Sequence, residues 1–169
     1  MKPSKEQQFE VIYQAHQYKV YRLCLGYTGN TVDADDLYQQ IMLKIWTHLD
    51  SFRGESQLST WIYRISTNTA LLYQKRQYRQ REKQKDLKPT ANPIFNPSEQ
   101  MERKAQVNQL YKAIAQLKEI DRIIISLVLE ERTYQEIAEI TGLSSSHVGV
   151  KINRIKKELK KMMDHARRI

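Results

Sequence analysis

Apolar positions recur at helical spacing along most of the chain. Phe9, Ile12, Tyr13, Val20, Leu23 and Tyr27 predict a first long helix that ends near Gly29 and Asn30. Leu37, Ile41, Ile45 and Leu49 form an i, i+4 stripe on a second helix, widened by Met42 and Trp46. Asp33, Asp35 and Asp36 stand at its start, where carboxylates cap free amides and complement the helix dipole. After a loop around residues 51–59, a third helix starts near Thr60 and should bury Ile62, Ile65, Thr69 and Leu72. Val107, Leu110, Ile114 and Leu117 mark a fourth, followed by the apolar run 123–129.

A break divides this pattern. Pro89, Pro93 and Pro97 follow the polar run 77–88. Proline removes a helix donor and biases its predecessor toward extended backbone, so the stretch reads as a flexible linker. The expected organisation is an all-α chain of two small helical domains, 1–80 and 104–169, joined by a linker at 81–103. Each unit lies near the lower size limit for an independent core. The sequence has only five Gly and four Pro, too few for the frequent turns of an all-β protein.

Charge adds a second division. The formal net charge is +9, and all the excess sits in two zones. Residues 51–88 carry 9 Lys/Arg against 3 Asp/Glu, and residues 141–169 carry 8 against 2. Two separate basic zones suggest two points of contact with a polyanion; the alternative is a pair of solvated helical faces. Cys24 stands alone, and His16, His48, His147 and His165 are scattered without metal-ligand spacing. With no nucleophile–base pair and no phosphate loop, an enzyme, a cofactor and a small-molecule substrate are not expected. The start of the chain lacks the apolar core of a signal peptide, so a cytoplasmic location is expected.

The most informative segment begins at Thr133. Thr133-Tyr134-Gln135-Glu136 is a capping box that opens a helix through Ile140. Ala138, Gly142 and Val148 then follow with helix-turn-helix spacing. Ala138 keeps the first helix slim at the crossing, Gly142 supplies a left-handed turn, and Val148 closes the small core. Leu143 anchors the turn, and Ser144 is a natural N-cap. Val148, Ile152, Ile155 and Leu159 share the back of the second helix. Ser145, Ser146, His147, Gly149, Lys151 and Arg154 are left outward, the layout a recognition helix needs to reach base edges. Lys156, Lys157, Lys160 and Lys161 would lie nearer backbone phosphates. The alternative is an ordinary helical hairpin with basic decoration.

A resemblance narrows these readings. Residues 34–46 (Ala-Asp-Asp-Leu-Tyr-Gln-Gln-Ile-Met-Leu-Lys-Ile-Trp) resemble the polymerase-binding helix of sigma factors. Phe52-Arg53-Gly54-Glu55-Ser56, then Thr60-Trp61-Ile62 and Ile65-Ser66-x-Asn68, resemble the promoter-melting segment of the extracytoplasmic-function (ECF) type. With the helix-turn-helix, the similarity spans nearly the whole chain in the family's order. It implies a sigma region 2 bundle and a sigma region 4 helix-turn-helix that bind core RNA polymerase and promoter DNA, both duplex and melted single strand. It also implies an anti-sigma partner, which would sequester the chain at the inner membrane.

By the same resemblance, Asp35, Asp36, Gln39, Leu43 and Trp46 would bind polymerase. Arg53, Gly54, Glu55, Ser56, Thr60, Arg64, Asn68 and Lys75 would recognise the −10 element, the loop capturing a flipped base. Ser145, Ser146, His147, Lys151 and Arg154 would recognise the −35 element. Trp61 reads more readily as core than as a stacking platform. Gln40 stands where the family usually has a carboxylate, and Gly149 where it often has a basic residue. The competing function is an autonomous helix-turn-helix regulator that binds duplex DNA without polymerase.

Overall fold

The computed structural model describes residues 3–83 and 101–166. The expected linker therefore lies largely outside the described residues, including Lys85, Lys88 and its three prolines. Seven α-helices make up the described chain: α1 (Lys5–Thr28), α2 (Thr31–His48), α3 (Leu58–Lys83), α4 (Met101–Ile114), α5 (Glu119–Leu129), α6 (Tyr134–Thr141) and α7 (Ser145–Ala166). A short 3-10 turn, Leu49–Ser51, follows α2.

Local chemistry explains the helix ends. Ser4 and Gln7 cap α1 reciprocally, and Gly29 stops it in the left-handed conformation at φ 77°. The cap of α2 departs from the expectation that carboxylates provide it. Asn30 holds the extended backbone a cap requires, and its side chain accepts from the Asp33 amide at 2.9 Å. The three aspartates lie inside the helix, where Asp33 still complements the dipole in the first turn.

The N-terminal half, α1–α3, closes on Leu23, Tyr27, Leu37, Ile41, Ile45 and Ile62, all almost fully buried. On α3 the inward line runs through Ile62, Ser66, Thr69, Ala70 and Tyr73. Leu72, expected inside, is 47% exposed, because a helix turns about 100° per residue and Tyr73 takes the inward place. Ile65 is half-buried. The C-terminal half, α4–α7, packs Ile114, Leu117, Ile123, Ile124, Leu127, Ile137, Val148, Ile152 and Ile155. Val107, expected on the α4 stripe, is exposed. Its helix meets the rest from Leu110 onward.

The turn from α5 to α6 contains a strained residue. Glu131 sits at φ 59°, the only non-glycine at positive φ among the described residues. The Arg132 amide donates to the Leu127 carbonyl and the Glu131 amide to the Val128 carbonyl, both at 3.0 Å, which makes a Schellman ending. A left-handed L-residue costs about 1 kcal/mol or more. Glu131→Gly is therefore expected to raise stability by about 1 kcal/mol, read as a higher midpoint in thermal unfolding.

The two halves pack on each other. α1 lies against α4 and α5, and α3 lies against α6. Glycine permits this closeness: a Cβ on Gly26 would come within 2.5 Å of Ser126 Oγ, and one on Gly29 within 2.5 Å of Ala115 Cβ.

Candidate nucleic-acid interface

The first candidate surface is the loop before α3 together with the α3 face. Gly54 takes φ 72° in open space, which turns the chain sharply and leaves Arg53 and Glu55 exposed. Ser51, Phe52, Arg53, Glu55, Ser56, Trp61 and Arg64 line an open hollow of about 280 Å³. Trp61 is half-buried and packs on Phe52 with ring centroids 5.2 Å apart. Further along α3, Asn68, Lys75 and Arg79 are exposed. Thr60, however, is buried, and Arg64 donates from Nε to the Glu139 carbonyl at 3.0 Å. The start of α3 thus lies against α6 with Arg64 still exposed, while its later turns are open.

The second surface is α7. Ser144 caps it as the sequence suggests, accepting from the His147 amide at 3.2 Å. Ser145, Ser146 and His147 are exposed on its first turn, and Lys156, Lys157, Lys160 and Lys161 further on. Lys151 and Arg154 are not free cations. Lys151 Nζ donates to Asp121 Oδ1 and Arg154 Nη2 to Asp121 Oδ2, each at 2.9 Å. Gly149 packs against the Tyr134 ring.

The third surface is the outer face of α2. Asp35, Asp36, Gln39 and Leu43 are exposed there beside Val32. Tyr21 donates to Asp35 at 2.8 Å, bracing it against α1. Burial and this bond push the Tyr21 phenol up to about 12. Gln40 donates to Asp36 at 3.4 Å, a weak bond. Trp46 departs from this face. It is half-buried edge-on against Phe9 at 5.3 Å, with Lys5 Nζ 5.0 Å from its ring centroid.

The capping box of α6 forms reciprocally. The Thr133 amide donates to Glu136 at 2.7 Å and the Glu136 amide to Thr133 Oγ1 at 3.2 Å. The bond from the Thr133 amide holds the Glu136 carboxyl below its usual range. Several residues that shape these surfaces were not singled out by sequence: Asp121, Arg22, Glu130, Arg122 and Arg132. One signal was available. Gly26 interrupts a long helical pattern, and a glycine there marks a close approach.

Comparison with known proteins agrees with this arrangement. Residues 12–80 match the Sigma-70 region 2 family and residues 108–159 match Sigma-70, region 4. The chain is 30% identical over 161 residues to RNA polymerase sigma factor YlaC of Bacillus subtilis, covering 94% of this chain and 93% of that one. It is 32% identical over 143 residues to the ECF RNA polymerase sigma-E factor of Escherichia coli, covering 78% and 74%. In fold it is similar to the sigma factor RpoE in complex with the anti-sigma factor NepR from Bartonella quintana. The TM-score is 0.74 and the identity 21%, over 93% of this chain and 97% of that one. CnrH, in complex with the cytosolic domain of CnrY, gives a TM-score of 0.67 at 21% identity, over 95% and 90%.

Two helical units carrying regions 2 and 4 in order define a promoter-specificity subunit of bacterial RNA polymerase. The chain belongs to the sigma-70 family, as a sigma factor of the ECF type. It works with RNA polymerase and promoter DNA in transcription initiation. No helix of the described residues is long and apolar enough to cross a membrane.

Proposed function

We propose that the chain divides promoter recognition between its halves. The loop at 52–57 and α3 recognise and open the −10 element, using Arg53, Gly54, Glu55, Ser56, Thr60, Arg64, Asn68 and Lys75. The hollow beside Trp61 takes an unstacked base, and Asn68 and Lys75 follow the strand. Melting is a shift of equilibrium toward bound single strand, with no covalent step. α7 recognises the −35 element through Ser145, Ser146, His147 and Arg154, with Lys151 set behind them on Asp121. Asp35, Asp36, Gln39 and Leu43 dock on polymerase, with Trp46 supporting the end of that helix.

The observation that carries this reading is the separation of surfaces. Exposed cations lie on the later turns of α3 and on α7, while the outer face of α2 exposes carboxylates and apolar side chains. The structurally similar RpoE and CnrH were solved with NepR and CnrY, and an anti-sigma partner is proposed here too. Such a partner, if membrane-linked, would hold the chain at the inner membrane.

Run-off transcription with core polymerase tests the assignment. Asp36→Ala, Asn68→Ala and Arg154→Ala are each expected to lower promoter-dependent transcript about tenfold, each losing one or two good polar contacts. Wild-type output from all three would overturn it. A gel shift showing tight, specific duplex binding by the lone chain would instead favour the autonomous regulator.

A further inference from the structure

Three charged side chains of the C-terminal half form one closed group. Asp121, in the first turn of α5, is 2% exposed. Its two oxygens accept one bond each from α7: Oδ1 from Lys151 Nζ and Oδ2 from Arg154 Nη2, both at 2.9 Å. Lys151 and Arg154 stand three residues apart, so they share a helix face. That face borders the buried line of Val148, Ile152 and Ile155, which packs α7 on the core.

The two cations are not equivalent. The Lys151 side chain is 14% exposed and that of Arg154 57%. Lys151 alone would neutralise Asp121, so the second partner is surplus to charge balance. An ion pair with one partner largely in water also adds little stability. What the bond to Arg154 supplies is direction. A guanidinium carries five N–H donors in a rigid plane. Nη2 is fixed to Asp121, and the group makes no other bond among the described residues. One fixed corner holds the plane, and the remaining donors are left for a base edge. Without that brace, an exposed arginine samples many rotamers and reaches phosphates as readily as bases, and ordering it on binding costs affinity. Glu158, exposed at i+4, then becomes a competing acceptor.

We propose that Asp121 is a positioning residue for promoter selectivity. It holds Arg154 in the direction that reads one base pair of the −35 element, and it touches no DNA itself. Charge gives a second consequence. One carboxylate against two cations leaves the group at +1, and a neutral Asn in place of Asp121 leaves it at +2. Loss of the brace therefore strengthens attraction to any duplex while it weakens the choice between sequences. This rests on the −35 reading above.

The test uses the full chain bound to core polymerase. The promoter duplex used for run-off transcription is randomised over roughly one helical turn at its −35 element, and the bound fraction is sequenced. Arg154→Ala should erase the preference for guanine at one position, which locates the base that Arg154 reads. Asp121→Asn should lower the preference at that same position about tenfold, the scale of one bidentate contact, and leave the other positions as in the wild type. Added to Arg154→Ala, it should change that position no further. Binding to a duplex without a promoter should rise, by about twofold, for the added net charge.

Asp121→Asn leaves Lys151 without its counter-charge, so folding is checked by circular dichroism. The same comparison is therefore also made in a Lys151→Met background, where Asp121→Asn removes the last buried charge of the group and leaves only Arg154 unbraced. The tenfold loss at the Arg154 position should recur there. A loss spread evenly over the element, or a loss accompanied by weaker binding to the promoterless duplex, is what a merely structural role gives and would overturn the proposal. An unchanged preference in both backgrounds, with Arg154→Ala still erasing it, overturns the bracing and leaves the −35 reading standing. No change at any position from Arg154→Ala removes that residue from the −35 reading, and the proposal with it.

Discussion

Asp121→Ala is expected to lower the stability of the chain by about 3 kcal/mol, the scale for removing one partner of a buried ion pair. Urea denaturation followed by circular dichroism would measure it. Asp121 is buried in the first turn of α5 and accepts from two cations on α7. Its removal leaves them in different situations. The Arg154 side chain is 57% exposed and can turn to water, whereas that of Lys151 is only 14% exposed. The cost therefore falls mainly on Lys151, which loses its counter-charge without reaching solvent. Two controls follow from the same geometry. Lys151→Met keeps the length of the side chain and leaves Asp121 paired with Arg154, so it should cost about 1 kcal/mol or less. Arg154→Ala should be similarly mild in stability, so that a large loss of transcript in that variant reports on DNA.

The second large effect is expected in the other half. Ile41→Ala should cost about 3 kcal/mol, within the range for emptying a buried aliphatic position. Ile41 is wholly buried on α2, at the centre of the N-terminal core. Leu43, two residues on, is 64% exposed, and Leu43→Ala should change stability by no more than about 0.5 kcal/mol. Urea midpoints would distinguish the pair. If Leu43 docks on polymerase as proposed, its variant should keep its stability and lose affinity for core enzyme. A large stability loss from Leu43→Ala would show that it serves the fold instead.

These two halves were legible in the sequence to different depths. Features encoded within a single element came through in residue detail. The Thr133–Glu136 capping box, the left-handed Gly142 and the Val148, Ile152, Ile155, Leu159 stripe need only local spacing to be seen. Leu72 and Val107 did not, because apolar spacing defines a stripe but not its centre, and one residue of rotation moves a side chain from core to solvent. The Asn30 cap was missed for a related reason: three nearby aspartates offered the same chemistry, and only the backbone conformation selects between them.

The seam between the two halves was beyond reach in a different way. Arg22 and Glu130, which pair across it, are 108 positions apart, and each alone looks like an ordinary surface charge. Lys151 and Arg154 read as outward cations because nothing in α7 points to Asp121. The charge pattern marked where exposed cations cluster, but not which of them were already engaged. The roles of individual residues toward DNA and polymerase therefore rest on the transcription assays.

Cys24 gives the N-terminal half an unplanned property. It is fully buried on the core side of α1, and burial pushes its thiol far above the ordinary range. The thiolate is the reactive form, so a folded bundle keeps the sequence's single sulfhydryl chemically silent. Its modification by a thiol reagent must wait for α1 to lift from its neighbours. The residue thus acts as a built-in stopwatch for breathing of the bundle, and it resists mild oxidants for as long as the bundle stays shut.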